Sequence, residues 1–127
     1  MKEKLMKRIA DQYIDSYNKF DLEGMTRNLH RDIVFKNIND GEVTVELYGK
    51  PAFKTQIEQA FGLFKKREMK IIEQKFGENM VENKVDFKGV LAVDVPDGPK
   101  ENELVKIQYN TVFRFKNGRI IAIEDIN

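Results

Sequence analysis

The sequence predicts an α+β domain in which the helices come first and a run of antiparallel strands comes last. Near the N-terminus, apolar residues recur every three or four positions, which is typical of an amphipathic helix. Toward the C-terminus, apolar and polar residues alternate, which is typical of a strand with one buried face. The chain has no internal repeat, linker or low-complexity segment, so we expect a single domain over residues 1–127.

Three helices are predicted from the spacing of apolar residues. The first covers residues 3–19. Asp21 suits the N-cap of a short second helix. Pro51 suits the first turn of a third helix, whose apolar spacing continues to Lys65. The run Lys65-Lys66-Arg67 then has the composition of a solvated helix end, where the helix dipole favours basic side chains.

The strands are predicted where apolar and polar residues alternate. They cover residues 32–38, 42–48, 68–76 and 81–95, and a closing hairpin lies within 104–126. In that hairpin Asn117-Gly118 supplies the positive φ angles that a tight turn requires. The buried face of its first strand is predicted to carry Val105, Ile107, Tyr109, Thr111, Phe113 and Phe115.

The composition excludes several classes of function. Apolar residues make up 41% of the chain and charged residues 34%, with 22 basic and 21 acidic side chains interleaved. This is the composition of a folded protein, and without a basic block we expect no nucleic-acid partner. The absence of cysteine removes disulfides, thiolate metal sites and cysteine nucleophiles. A single histidine, His30, makes a poor metal site, so neither a metal nor another cofactor is predicted.

The N-terminal stretch is charged and amphipathic, unlike the apolar core of a signal peptide. No apolar run approaches the length that crosses a bilayer. We therefore expect a cytoplasmic protein that has no membrane partner.

Three segments resemble the nuclear transport factor 2-like superfamily, in particular its SnoaL-like and ketosteroid isomerase-like branch. They are IADQYIDSYNKFDLEGMTRNLHRDIVF at 9–35, YGKPAFKTQIEQAF at 48–61 and NTVFRFKNGRIIAIED at 110–125. The resemblance implies a cone, in which a curved antiparallel sheet wraps around the N-terminal helices and opens at one end to an apolar pocket. It also implies a homodimer formed through the outer face of the sheet.

Ketosteroid isomerases use three catalytic groups, and the resemblance retains one of them. Tyr13 falls at the position of the tyrosine that polarises the steroid oxygen. Asn37 stands where that family has its catalytic base, and Thr111 stands where it has a protonated aspartate. An amide has no basic form near neutral pH that could take a proton from carbon. We therefore do not expect steroid isomerisation.

Two candidate catalytic residues remain, Asp125 and Tyr13. A period of two, counted from Ile121 and Ile123, places Asp125 on the inner face, where an apolar wall would raise the pKa of its carboxyl group. The alternative is a solvated side chain on a fraying strand end. Tyr13, and Tyr17 one turn later, would orient a ligand through their hydroxyls, or else pack in the core with both hydroxyls bonded to the scaffold.

The candidate ligand-binding residues are apolar or uncharged. Asn37 and Thr111 can donate and accept hydrogen bonds without a change in charge. The predicted apolar wall can equally be plain core packing. Its members are Phe35, Phe53, Ile57, Phe87, Leu91, Tyr109 and Phe113.

Two functions stay open at this point. The first is binding of a hydrophobic small molecule inside the cone, with or without a reaction of isomerase, cyclase or dehydratase type. The second is a non-enzymatic module that dimerises or binds a protein through the outer sheet face, where Val90, Ala92 and Val112 are expected. A cavity of several hundred cubic ångströms would favour the first function, and an interior filled by its own side chains would favour the second.

Overall fold

The computed structural model describes all residues 1–127, and its elements follow the predicted order. The helices are α1 (Glu3–Asn18), α2 (Leu22–Thr26) and α3 (Lys50–Phe61). The strands are β1 (Leu29–Asn39), β2 (Glu42–Tyr48), β3 (Phe64–Gly77), β4 (Met80–Leu91), β5 (Leu104–Lys116) and β6 (Arg119–Ile126). The α+β class is confirmed. No helix has the length and apolar composition needed to span a membrane.

Two elements end earlier than predicted. Helix α3 stops at Phe61 instead of reaching Lys65, and β3 begins at Phe64. Phe64 fits the helical spacing of the apolar residues before it, but it belongs to β3. There its ring packs edge-on against that of Phe87, with centroids 5.2 Å apart. Strand β4 ends at Leu91, and the predicted continuation to residue 95 belongs to the loop that leads to β5.

The sheet is curved and open, and it is mixed rather than wholly antiparallel. Its strand order is β2-β1-β6-β5-β4-β3. All neighbouring strands are antiparallel except β1 and β6, which run parallel. The last strand of the chain thus lies inside the sheet, between the first strand and β5.

A β-bulge near the closing turn changes the register of β6. Ile121 has no partner on β5, because Ile120 pairs with Phe115 and Ala122 pairs with Arg114. A bulge of this kind shifts every later residue by one position. Counting back by two from Ile123 placed Ile121 on the inner face, but Ile120 occupies the buried position and is 1% exposed.

The inner face of the sheet packs against α1 and α3. Helix α1 buries Met6, Ile9, Ala10, Tyr13, Ile14 and Ser16 on one side. These residues meet alternating residues of the strands, including Ile33, Val85 and Phe113, which are fully buried. At roughly 1.5–3 kcal/mol for each large apolar side chain buried, this packing is the main stabilising contribution to the fold.

The outer face of the sheet carries charged and polar side chains at most positions. Val112 was expected on this face among polar neighbours, and it lies there outside the core cluster but is only 4% exposed. Its register partners, Glu82 and Glu124, lie beside it. Glu124 pairs with Arg114 at 2.9 Å, and Glu82 accepts a hydrogen bond from Asn110 at 3.2 Å. These pairs cover Val112, so this part of the outer face offers little apolar surface.

The contact between α1 and α2 depends on a residue without a side chain. Gln12 Nε2 donates to Ser16 Oγ and to the Gly24 carbonyl, both at 2.9 Å. Asp21 caps α2 by accepting from the Gly24 amide at 3.0 Å, as predicted. A Cβ atom on Gly24 would overlap Ser16 Oγ and lie 2.6 Å from Asp21 Oδ2.

We expect Gly24→Ala to lower the free energy of unfolding by about 1–3 kcal/mol, because overpacking displaces the two partners. Gly62→Ala is the matched control, since its Cβ would meet nothing closer than 3.6 Å and its φ angle is negative. Urea denaturation of both variants tests this. Equal stability of the two variants would show that α2 can move away without cost.

Candidate functional site

Two tyrosines of α1 face the inside of the sheet, one helical turn apart. Tyr13 is 7% exposed, and its ring packs edge-on against Phe113 with centroids 5.3 Å apart. The Tyr17 ring lies under the guanidinium group of Arg67, whose central carbon is 3.6 Å from the ring centroid. The Tyr13 hydroxyl forms no hydrogen bond with the protein, whereas the Tyr17 hydroxyl interacts with the Arg67 side chain. Core packing with a hydroxyl bonded to the scaffold therefore stays open for Tyr17 and has no support at Tyr13.

A third tyrosine, Tyr109 on β5, is partly buried on the same inner face. Its hydroxyl lies 4.0 Å from the sulfur of Met69 on β3, which is a weak acceptor. Burial raises the pKa of Tyr17 to about 12, and it raises the pKa of Tyr13 and of Tyr109 as well. All three hydroxyls thus keep their protons near neutral pH and can act as hydrogen-bond donors.

Asp125 enters the inner face because of the bulge at Ile121. The shifted register places Asp125 beside Thr111 of β5 and beside Asn37 of β1. Without the bulge, Glu124 would stand opposite Thr111. The prediction that Glu124 faces outward agrees with its ion pair to Arg114 at 2.9 Å.

Burial raises the pKa of the Asp125 carboxyl from 3.8 to about 6, and a hydrogen bond from Thr111 opposes this in part. The apolar surroundings disfavour the charged form, and no cation is close enough to restore it. The predicted direction of the pKa shift is therefore the one found. Near neutral pH such a carboxyl group can both accept and release a proton.

Next to this acid, the side chain of Asn37 lacks a hydrogen-bond donor. Its Oδ1 atom is buried and accepts no hydrogen bond. Because Asn37 is the register partner of Asp125, the proton of a neutral Asp125 would supply the missing donor. A buried acceptor without a partner is costly, so this arrangement favours the protonated acid.

The same row of the sheet continues with polar residues. Asn83 on β4 pairs with Thr111 on one side and with Gln74 of β3 on the other. Gln74 Nε2 donates to Asn83 Oδ1 at 2.9 Å and to Asp11 Oδ1 at 3.2 Å. Asn83 Nδ2 is buried without a partner. Polar side chains therefore cross the core from Asp125 to α1.

Arg67 was missed from the sequence. It was assigned to a solvated helix end, whereas Lys65 and Lys66 are exposed and Arg67 is 8% exposed on the inner face of β3. The error follows from the bound of α3, because residues 64–67 belong to β3, where an irregularity between Phe64 and Lys66 brings Arg67 to the same face as Met69. The signal that could have found it is the alternation of Arg67, Met69 and Ile71 with charged residues.

The shifted groups of the protein converge here. Of 48 titratable groups, the five with a shifted pKa are Tyr13, Tyr17, Arg67, Tyr109 and Asp125. Burial is the largest cause in each case. The pKa of every one of the three tyrosines is further raised by the charge of Asp125 and lowered by that of Arg67. Such clusters are more common at functional sites than elsewhere.

The predicted apolar wall divides into core and rim. Phe53, Ile57 and Phe113 are at most 4% exposed and belong to the core. Phe35 and Tyr109 are only partly buried at the edge of that core. Phe35 stacks on Phe53, with centroids 4.8 Å apart. Phe35 and Tyr109 therefore have free surface that the three core residues lack.

The main depressions of the surface lie elsewhere. One of about 560 Å³ lies between α1 and β3, and one of about 470 Å³ lies on the outer face of β3, β4 and β5. Neither of these two depressions, nor any of three others on the surface, is lined by Tyr13, Tyr109 or Asp125. These depressions therefore do not meet the criterion of an interior cavity of several hundred cubic ångströms, and the pocket implied by the resemblance stays a prediction.

Solved structures with the same fold are numerous. A proposed polyketide cyclase from Xanthomonas campestris pv. campestris aligns with a TM-score of 0.82 at 15% identity, covering 98% of this chain and 90% of that one. An LEH-like epoxide hydrolase from M. tuberculosis aligns with a TM-score of 0.73 at 19% identity, covering 94% and 79%. A protein of ketosteroid isomerase-like fold from Catenulispora acidiphila, in complex with trimethylamine, aligns with a TM-score of 0.74 at 9% identity, covering 94% and 84%.

At these identities the structural likeness shows the fold alone. No curated protein has a significantly similar sequence. Residues 10–123, however, match the SnoaL-like domain. Because this match spans most of the chain, the protein belongs to the SnoaL-like domain family.

Proposed function

We propose that the protein binds a hydrophobic small molecule on the inner face of its sheet and catalyses a proton transfer there, in a reaction of isomerase, cyclase or dehydratase type. The observation that carries the proposal is the convergence of the five groups with a shifted pKa on this face. Partly buried Phe35 and Tyr109 would form the apolar contact surface. Two of the structurally similar proteins bear enzyme names, a polyketide cyclase and an epoxide hydrolase, which supports the enzymatic reading.

Asp125 is the group that moves the proton in this proposal. With a pKa of about 6, its carboxylate can take a proton from a carbon or an oxygen near neutral pH, and its acid form can return it. Asn37 Oδ1 would hold the protonated acid in place, and Thr111 would stabilise the carboxylate. The three residues stand side by side on neighbouring strands, so little reorganisation is needed.

Tyr13 orients the ligand. Its hydroxyl has no partner in the protein, and burial raises its pKa, so it donates a hydrogen bond without ionising. A ligand oxygen that gains negative charge during the reaction would be stabilised by this donor and by Tyr17. The tyrosines act through hydrogen bonds, and only Asp125 changes its charge.

A second function, a homodimer or protein partner on the outer sheet face, is supported by one observation. The 470 Å³ depression there is lined by charges of both signs, Glu68, Lys70, Asp86, Lys88 and Lys106. A surface of mixed charge can pair with a second copy of itself. Charge reversal at Lys88 and Lys106 would dissociate such a dimer in sedimentation experiments, whereas a monomeric wild type would exclude it.

We expect Tyr13→Phe to weaken ligand binding without loss of stability. Removal of an unpaired hydroxyl leaves the free protein within about 0.5 kcal/mol of wild type, whereas a hydrogen bond to the ligand contributes about 0.5–1.5 kcal/mol. A thermal-shift screen with steroids, aromatic polyketide analogues, fatty acids and terpenoids provides the measurement.

Tyr48→Phe is the matched control, because Tyr48 is 66% exposed and lies outside the inner face. Ligands should raise the melting temperature of this variant as much as that of wild type. A ligand that stabilises wild type and Tyr13→Phe equally would remove Tyr13 from the site.

We expect Asp125→Asn to abolish turnover and to change the pH dependence of stability. Folded Asp125 binds its proton more tightly than the unfolded chain does, so this stabilisation is complete below about pH 3.8 and is lost as the pH rises through about 6. The loss amounts to at most about 3 kcal/mol. Asp125→Asn, which has no proton to lose, should gain stability relative to wild type by that amount between pH 4 and pH 7.

Denaturant titrations across this pH range measure the difference. Asp97→Asn is the control, since Asp97 is exposed in the loop before β5 and its positive φ angle suits asparagine. If the free energy of unfolding of both variants differs from that of wild type by the same amount at every pH in this range, Asp125 does not titrate as proposed.

A further inference from the structure

A buried cation beside the tyrosines has no anion to neutralise it. Arg67 is 8% exposed, and Asp125, the partly buried acid of the same inner face, forms no salt bridge with it. Arg67 takes part in none of the salt bridges of the protein. Charged groups that are removed from water are normally paired, so this guanidinium group requires an explanation.

Part of the explanation lies in its contacts with the scaffold. Arg67 Nε and Nη2 donate to the Tyr17 carbonyl at 3.0 and 2.8 Å. The guanidinium carbon lies 3.6 Å from the ring centroid of Tyr17, 4.4 Å from that of Phe20 and 5.2 Å from that of Phe61. Cation–π contacts and the carbonyls at the C-terminus of α1 both stabilise a positive charge.

These contacts leave one edge of the guanidinium group unused. No carbonyl, carboxylate or amide oxygen accepts a hydrogen bond from Arg67 Nη1 or from the second N–H of Nη2, and the only other side chain that interacts with the guanidinium group through a hydrogen bond is Tyr17. The fully buried polar atoms without a partner do not include Nη1. Nη1 is therefore accessible to solvent. Two parallel N–H groups on one edge match the two oxygens of a carboxylate. Capping of α1 accounts for the other edge and does not require this one.

The free edge belongs to the same interior as the proposed site. The next inward residue of β3 after Arg67 is Met69, whose sulfur is 4.0 Å from the Tyr109 hydroxyl. The charge of Arg67 lowers the pKa of Tyr13, Tyr17 and Tyr109. It does not contribute to the pKa of Asp125, which is set by burial and Thr111. Arg67 and Asp125 form no salt bridge with each other, and the charge of each acts on the same three tyrosines.

We propose that Arg67 is the anion-binding residue of this site and that the natural ligand is a hydrophobic carboxylate, held by its charged end at the Nη1–Nη2 edge. This inference rests on the proposed function, because it assumes that a ligand enters the inner face. It adds the chemical class of the ligand and its direction. The carboxylate lies near Tyr17 and Arg67, and the part of the molecule that exchanges a proton lies toward Asp125.

The test compares two probes that differ only in charge, 2-naphthoate and 2-naphthamide. Wild-type protein should bind the carboxylate about 10- to 100-fold more tightly than the amide, as charge-assisted hydrogen bonds to one arginine allow. Isothermal titration calorimetry measures both affinities. In ¹⁵N NMR spectra the Arg67 Nε–H resonance should move with naphthoate and not with naphthamide, and this readout also detects weak binding.

Arg67→Gln should remove the preference for the carboxylate, because it lowers the affinity for naphthoate and leaves the affinity for naphthamide unchanged. Because this variant also loses the bonds to the Tyr17 carbonyl, Arg67→Lys serves as a second variant that keeps the charge and should retain part of the preference. Arg119→Gln is the control. Arg119 likewise donates to a backbone carbonyl, that of Arg27 at 3.4 Å, but it is exposed.

Equal affinity of wild type for the two probes, or an Arg67 resonance that naphthoate does not move, would overturn the proposal. So would an Arg67→Gln variant that keeps the preference. The proposed function fails separately: if Tyr13→Phe binds both probes as wild type does, Tyr13 is not in the site. If Tyr13→Phe binds both probes more weakly than wild type does, and wild type binds the two probes equally, the ligand site is supported and the proposed role of Arg67 is rejected.

Discussion

A single unpaired residue, Ile121, decides which acid enters the interior of this protein. The tight turn at Asn117-Gly118 sets a register in which Glu124 would oppose Thr111, and the bulge advances that register by one, so that Asp125 takes the place. A shift of one residue exchanges the two faces of a strand. The raised pKa of Asp125 and the ion pair of Glu124 with Arg114 both depend on this bulge.

Much of the fold could be predicted, because the relevant signals are local. The closing turn has the φ angles of 53° and 77° that Asn117-Gly118 indicated, and Asp21 caps α2. The parallel pairing of β1 with β6 could not be predicted, since it joins segments about ninety positions apart and no local pattern encodes a partner. The bulges were missed for a similar reason: an extra residue is visible only against its neighbouring strand.

The candidate site shows the same division. Tyr13 and Asp125 could be placed by periodicity together with the family resemblance, although the count to Asp125 passed through Ile121, which does not occupy the buried position. Arg67 was missed because the third helix was predicted to reach Lys65, four residues beyond its actual end at Phe61, which placed Arg67 in solvent. What results is a candidate site whose cation, Arg67, and acid, Asp125, form no salt bridge with each other. Each stays available to a ligand.

The position of β6 inside the sheet also bears on how the chain folds during synthesis. Strands β1 and β5 have no contact with each other until β6 lies between them, and β6 ends at Ile126. While the ribosome still holds these residues, β1 with β2 and β3 with β4 and β5 cannot join edge to edge, and each group keeps an open edge. Contacts so distant in sequence slow folding, and open edges favour association between nascent chains. Chaperone contact during synthesis should therefore persist until residue 126 has emerged.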